Sequence, residues 1–169
     1  MWRLLGAVLL AFGCGWVGFQ ASLALSRREA ALRATARGLA LLEQELELDS
    51  PPLPQLMERL ARRTQEPACG LFRACRLALE HLEEEAFSPA WRHLTGELES
   101  LGEEGRAALL PLGDILGRCG CQEQCQGVSG VRRRLEELAA RAEEERRSQG
   151  RVYQALGLSG GAFLIILLL

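Results

Sequence analysis

Three cysteines, Cys119, Cys121 and Cys125, form a Cys-x-Cys-x3-Cys cluster. Thiols gathered at a turn are candidate zinc ligands, with His81, His93, Cys69 or Cys75 as a fourth donor. The spacing lacks the usual pair of Cys-x2-4-Cys pairs, and no fourth ligand lies nearby in the chain. The competing reading is three reduced thiols acting as small residues. Cys69 and Cys75 read as core packing on one helix. Five of the six cysteines lie outside the uncharged chain ends, an odd number that suits an exported disulfide framework poorly. His81 and His93 fall on different predicted helices, and neither belongs to a His-Glu-x-x-His pattern. A phosphate-binding Gly-x4-Gly-Lys loop is ruled out because the chain has no Lys. Asp49 and Asp114 are the only aspartates. No catalytic residue and no cofactor is therefore assigned, and the chain is expected not to be an enzyme.

Whatever these residues do, helices must position them. Of the 169 residues, 34 are Leu, whereas Val, Ile and Thr together number 11. That is too few β-branched side chains for a mainly β protein. A Leu/Ala/Glu/Arg composition favours long helices. The net charge of −2 removes the usual reason to propose a nucleic-acid partner.

Two stretches carry no charge. Residues 4–25 would span ~33 Å as a helix, enough for a bilayer core of ~30 Å. Residues 152–169 would span ~27 Å, near the lower limit for crossing. A cleaved signal peptide is the rival for the first stretch, with Ser22-Leu23-Ala24 as its site. The uncharged run exceeds the usual apolar core of a signal peptide, and Arg27, Arg28, Arg33 and Arg37 follow it. Arg141, Arg146, Arg147 and Arg151 precede the second stretch. Both arginine biases place residues 26–151 in the cytoplasm and both termini outside. The expected division is a membrane helix over 1–25, a cytoplasmic bundle over 26–151 and a second membrane helix over 152–169. Ala11, Gly15, Gly18 and Ser22 share one face of the first membrane helix, and Gly157, Gly160 and Gly161 offer a surface on the second. Such faces permit close helix packing, although Gly is also simply common in membrane helices.

Between the ends, periodicity predicts six helices in a small antiparallel bundle. The first continues the N-terminal stretch, with Leu32, Leu39, Leu42 and Leu46 on one stripe, and Pro51-Pro52 stops it. The second carries Leu53, Leu56, Met57 and Leu60. The third covers about 67–85, with Leu71, Phe72, Cys75, Ala78, Leu79 and Leu82 inward. Ser88-Pro89 suits the start of the fourth, Ser as the cap residue and Pro at the first position. Trp91, Leu94 and Leu98 form the inward stripe of that helix, which Gly102 and Gly105 are expected to break. The fifth carries Leu109, Leu112, Ile115 and Leu116, with Gly117 at its end. The sixth begins near Gln122 and shows a heptad seam of Val128, Val131, Leu135, Leu138 and Ala142. Arg132–Glu136, Arg133–Glu137 and Glu143–Arg147 are its expected surface pairs.

The order of these pieces resembles the stage III sporulation protein AB family of endospore-forming bacteria, over essentially the whole chain. The resemblance rests on Leu5-Gly6-Ala7, Gly18-Phe19, Leu41-Leu42-Glu43-Gln44-Glu45-Leu46, Pro52-Leu53-Pro54 and Ala90-Trp91. Leu116-Gly117, Gln124 and Val128 continue it. The ending Leu156-Gly157-Leu158-Ser159-Gly160-Gly161, with Leu164 and Ile166-Leu167-Leu168, is its most specific part. Where the family tends to have Ser-Asp after the Leu-Gly, this chain has Cys119-Gly120. The resemblance implies an all-helical cytoplasmic domain similar to that of type II secretion F platform proteins. It also implies membership of an eight-protein operon that builds a channel complex between mother cell and forespore, seated in the mother-cell membrane. Other operon products, above all a secretion-type ATPase, are the implied partners, and a second copy of this chain is a further candidate. The expected function is a non-enzymatic scaffold, with a zinc- or thiol-dependent protein built on Cys119, Cys121 and Cys125 as the alternative.

Overall fold

A computed structural model describes the backbone of residues 2–48, 51–81 and 87–168, and the side chains of 23–48, 51–80 and 87–148. All regular structure among these residues is helical: α1 (Trp2–Leu48), α2 (Leu53–Arg63), α3 (Ala68–His81), α4 (Phe87–Gly96), a 3-10 turn (Glu99–Leu101), α5 (Gly102–Leu109), α6 (Leu112–Ile115) and α7 (Cys121–Leu168). The backbone forms two compact units, residues 28–140, and residues 1–27 with 141–169.

In the 28–140 unit, α1 and α7 supply the leucine stripes read from the sequence. Leu32, Leu39, Leu42 and Leu46 are buried with Val128, Val131, Leu135 and Leu138 in one core. Leu56, Met57 and Leu60 of α2 and Leu71, Phe72 and Cys75 of α3 join it. Pro52 is the extended residue before α2, and Pro54 sits in its first turn, where a missing N–H costs no helical bond. The Glu66 carboxylate accepts from Gly70 N–H at 3.1 Å and so satisfies an open donor of the first turn of α3. Close approach of α1 to α3 depends on Gly38, where a Cβ would stand 2.9 Å from that of Ala68.

Several expectations change in detail. α4 ends at Gly96, before Gly102 and Gly105. Its last turn is closed by Thr95, whose hydroxyl donates to the Trp91 and Arg92 carbonyls, and Arg106 donates to the Gly96 carbonyl. Leu98 therefore lies beyond the helix, though it still packs against the core with Leu94. Gly102 and Gly105 instead belong to α5. The expected fifth helix is two pieces, because Pro111 has no N–H to continue the ladder. The chain tightens there into i,i+3 bonds, Leu110 N–H to Ala107 and Gly113 N–H to Leu110. Gly117 does end α6, in the left-handed region at φ 77°. Ser88 lies within α4, one residue past its start, so it is not the cap residue. On α7 the pairs Arg132–Glu136 (2.8 Å) and Arg147–Glu143 (2.5 Å) form as expected, but Glu137 takes Arg134 at 3.3 Å in place of Arg133.

Leu82, the side chain of His81 and the membrane-face residues Ala11, Gly15, Gly18, Ser22, Gly157, Gly160 and Gly161 lie outside the described side chains. Residues 4–25 and 152–168 of the two uncharged stretches have helical backbone. Among the described residues no helix is long and apolar enough to cross a membrane.

Candidate interaction surface

Three polar assemblies on the 28–140 unit follow from how its helices meet. The first surrounds Trp91, which is fully buried. Its indole N–H donates to the Leu109 carbonyl at 2.8 Å, tying α4 to the last turn of α5. Phe87 packs beside it, ring centroids 5.7 Å apart. Gly113 of α6 lies so close that a Cβ there would stand 2.8 Å from Trp91 Cδ1. At the outer edge of the same junction, Asp114 accepts from Ser88 Oγ at 2.5 Å and from Arg92 Nη2 at 3.3 Å. The Ser88 hydroxyl, with help from Arg92 and the more remote charge of Arg118, holds the Asp114 carboxyl below its usual range. Neither Ser88 nor Asp114 was legible as a pair in the sequence, because they lie 26 residues apart.

The second assembly fastens α1 to its neighbours through carboxylates. Glu45 accepts from Arg59 at 3.2 Å and from Arg63, both on α2. Glu43 accepts from Arg132 of α7 at 3.1 Å, and the same guanidinium reaches Glu136. Arg132 is only a quarter exposed, and the two carboxylates hold its charge more firmly than usual. Apart from Arg132–Glu136, which lies within α7, these pairs span elements, so helical spacing did not reveal them.

The third holds the cysteines. Cys69, Cys75, Cys119, Cys121 and Cys125 are all thiols. Cys121 opens α7, and its Sγ donates to the Leu46 carbonyl at 3.1 Å. Burial, then the neighbouring Cys121, then the charges of Glu47 and Glu43, push the Cys125 thiol up. A raised thiol is a poorer nucleophile and a poorer metal ligand at neutral pH. Cys75 is pushed up by burial to about 12, as expected of core packing. Cys69 is half-buried, and its thiol donates to the Ala61 carbonyl at 3.1 Å. Among the described residues no three His, Cys, Asp or Glu side chains gather as a metal site. His93 stands on the surface with Glu97 at 3.7 Å.

Ion pairs of Glu45, Glu43 and Asp114 thus join helices, whereas others, such as Arg62–Glu58 and Arg147–Glu143, lie within one helix. Comparison with known proteins bears on the family of the chain. The sequence profile of the family described as stage III sporulation protein AB matches residues 3–169. A solved structure of a stage III sporulation protein AB (SpoIIIAB) is similar in fold, with a TM-score of 0.63 and 22% identity, covering 72% of this chain and 98% of that one. No curated protein matches the chain in sequence.

Proposed function

The chain belongs to the stage III sporulation protein AB family, and from that premise we propose that it acts as a non-enzymatic membrane platform in the sporulation channel complex between mother cell and forespore. The family match runs through both uncharged ends as well as the helical middle, and this observation carries the reading. On this reading residues 4–25 and 152–169 cross the mother-cell membrane, the middle domain stays in the cytoplasm and both termini lie outside. The arginines flanking the inner ends support that orientation. Helical backbone in both uncharged stretches, within Trp2–Leu48 and Cys121–Leu168, suits membrane anchoring at both ends. The partners are other products of the stage III operon, with the secretion-type ATPase docking on the cytoplasmic side. The thiol alternative has no observation in its favour, since Cys121 is engaged with the Leu46 carbonyl and the Cys125 thiol is pushed up.

Spore formation separates the two. Replacing Cys119, Cys121 and Cys125 together by Ser should leave it nearly intact. Placing Leu at both Gly15 and Gly18 should impair it, by blocking close packing of the first membrane helix. The reverse outcome would sink the platform reading and restore the metal one.

A further inference from the structure

One stretch of α7 has a composition that the fold of a single copy does not explain. Gly127 has a packing reason, because a Cβ there would meet Ile115 Cδ1 at 2.7 Å. Gly130, one turn on, has none: a Cβ there would meet nothing within 4 Å. Glycine is nevertheless among the poorest helix formers, and this position is inside a 48-residue helix. Gly130 lies in a shallow groove of about 410 Å³ between α1 and α7, with Cys125 and Ser129 beside it. Glu47 of α1 stands on one wall and Arg133 of α7 on the other. Neither has an ion-pair partner among the described residues, although the neighbouring Glu43 is satisfied by Arg132.

The placement of these charges is self-complementary. Suppose a second α7 crosses this face in the antiparallel sense, on a two-fold axis at Ser129. Position 133 of one copy then meets position 125 of the other, since each lies four residues from the axis. Cys125 lines the groove together with Glu47, and the bond from Cys121 to the Leu46 carbonyl brings that end of α7 beside Glu47. Each Arg133 would therefore arrive at the Glu47 of the opposite copy, twice over, as an isologous contact requires. Small side chains at the crossing let the two helix backbones approach closely. From this geometry we infer that the α1–α7 groove is the surface on which a second copy of the chain docks, with Ser129 on the axis, Gly130 beside it, and Glu47 and Arg133 exchanging ion pairs. The inference deepens the platform reading and rests on it for the membrane setting.

The test uses the full chain carrying either of two affinity tags, co-expressed and purified from detergent-solubilised membranes. Wild-type copies should co-purify. Glu47→Arg and Arg133→Glu should each weaken self-association by roughly tenfold, because each places like charges opposite one another at both contacts. The decisive arm mixes the two variants. Arg at 47 in one copy then faces Glu at 133 in the other, and the untouched Arg133 faces the untouched Glu47, so unlike copies should bind where like copies do not. Gly130→Leu should also weaken association while leaving the helical circular-dichroism signal unchanged. Failure of the unlike variants to bind each other, with both folded, overturns the inference, as does a monomeric wild-type chain. Either result leaves the platform reading standing, because that reading is tested on Gly15 and Gly18.

Discussion

Trp91 offers the strongest test of how the 28–140 unit is held together. Its side chain is fully buried, so truncation to Ala removes a large apolar group and leaves a cavity among Phe87, Gly113 and the core leucines. Such changes cost about 3–5 kcal/mol. The Leu109 carbonyl also loses its indole donor. Trp91→Phe isolates that second effect, because the ring remains and only the N–H and part of the volume go; about 1–2 kcal/mol is expected. Gly113→Ala adds a methyl 2.8 Å from Trp91 Cδ1, an overpacking that costs roughly 1–3 kcal/mol. The two sites are in contact, so their costs should not add. In the Trp91→Ala background the Gly113→Ala penalty should shrink, because the 2.8 Å contact with Cδ1 has gone and only the 3.1 Å contact with the residue 91 Cβ remains. The assay is urea unfolding of the segment 26–151, followed by circular dichroism; the segment is long enough to support its own core. Domains of this size are stable by only about 5–15 kcal/mol, so the Trp91→Ala loss is a large share of the whole and is readily measured. A loss below about 1 kcal/mol would refute the anchor role. So would an undiminished Gly113→Ala penalty without the indole, since the close contact would then not be the cause.

Two further outcomes are expected. The Asp114 carboxyl is held below its usual range in the folded state, by Ser88 first and then by Arg92 and Arg118. A depressed carboxyl adds stability that is present above its unfolded value and is lost as pH falls through the folded one; Asp114→Asn should therefore flatten the acid limb of the stability profile, and an unchanged limb would remove the Ser88–Asp114 link from the account. For the topology, a thiol added before Trp2 or after Leu169 should react with an impermeant reagent in intact cells, while residues 27–40 stay protected; the opposite labelling pattern would invert the orientation.

The sequence by itself determined the class of fold and most of its helices. A stripe of Leu32, Leu39, Leu42 and Leu46 has only one low-energy arrangement, a helix with that face covered, and the seam from Val128 to Leu138 demands the same of α7. Pro52 and Gly117 marked boundaries because their backbone constraints act locally. The family was legible as well, from the order of motifs along the chain. Tertiary structure decided what depended on residues distant in sequence. Thr95 and Arg106 end α4 at Gly96 by hydrogen bonds to carbonyls that a helical pattern leaves unassigned. Ser88 serves Asp114 of α6 instead of capping its own helix. Glu45 and Glu43 bind arginines of α2 and α7, whereas helical spacing exposes only pairs three or four residues apart. The cysteine cluster shows the same limit. Its spacing favoured inert thiols over a metal site, and only the folded surroundings decided what the sulfurs of Cys121 and Cys125 meet, with Leu46 offering Cys121 a carbonyl and Cys125 lying beside Cys121 near the charges of Glu43 and Glu47. Local constraints are written in neighbouring residues, and contacts between elements exist only once the chain has closed upon itself.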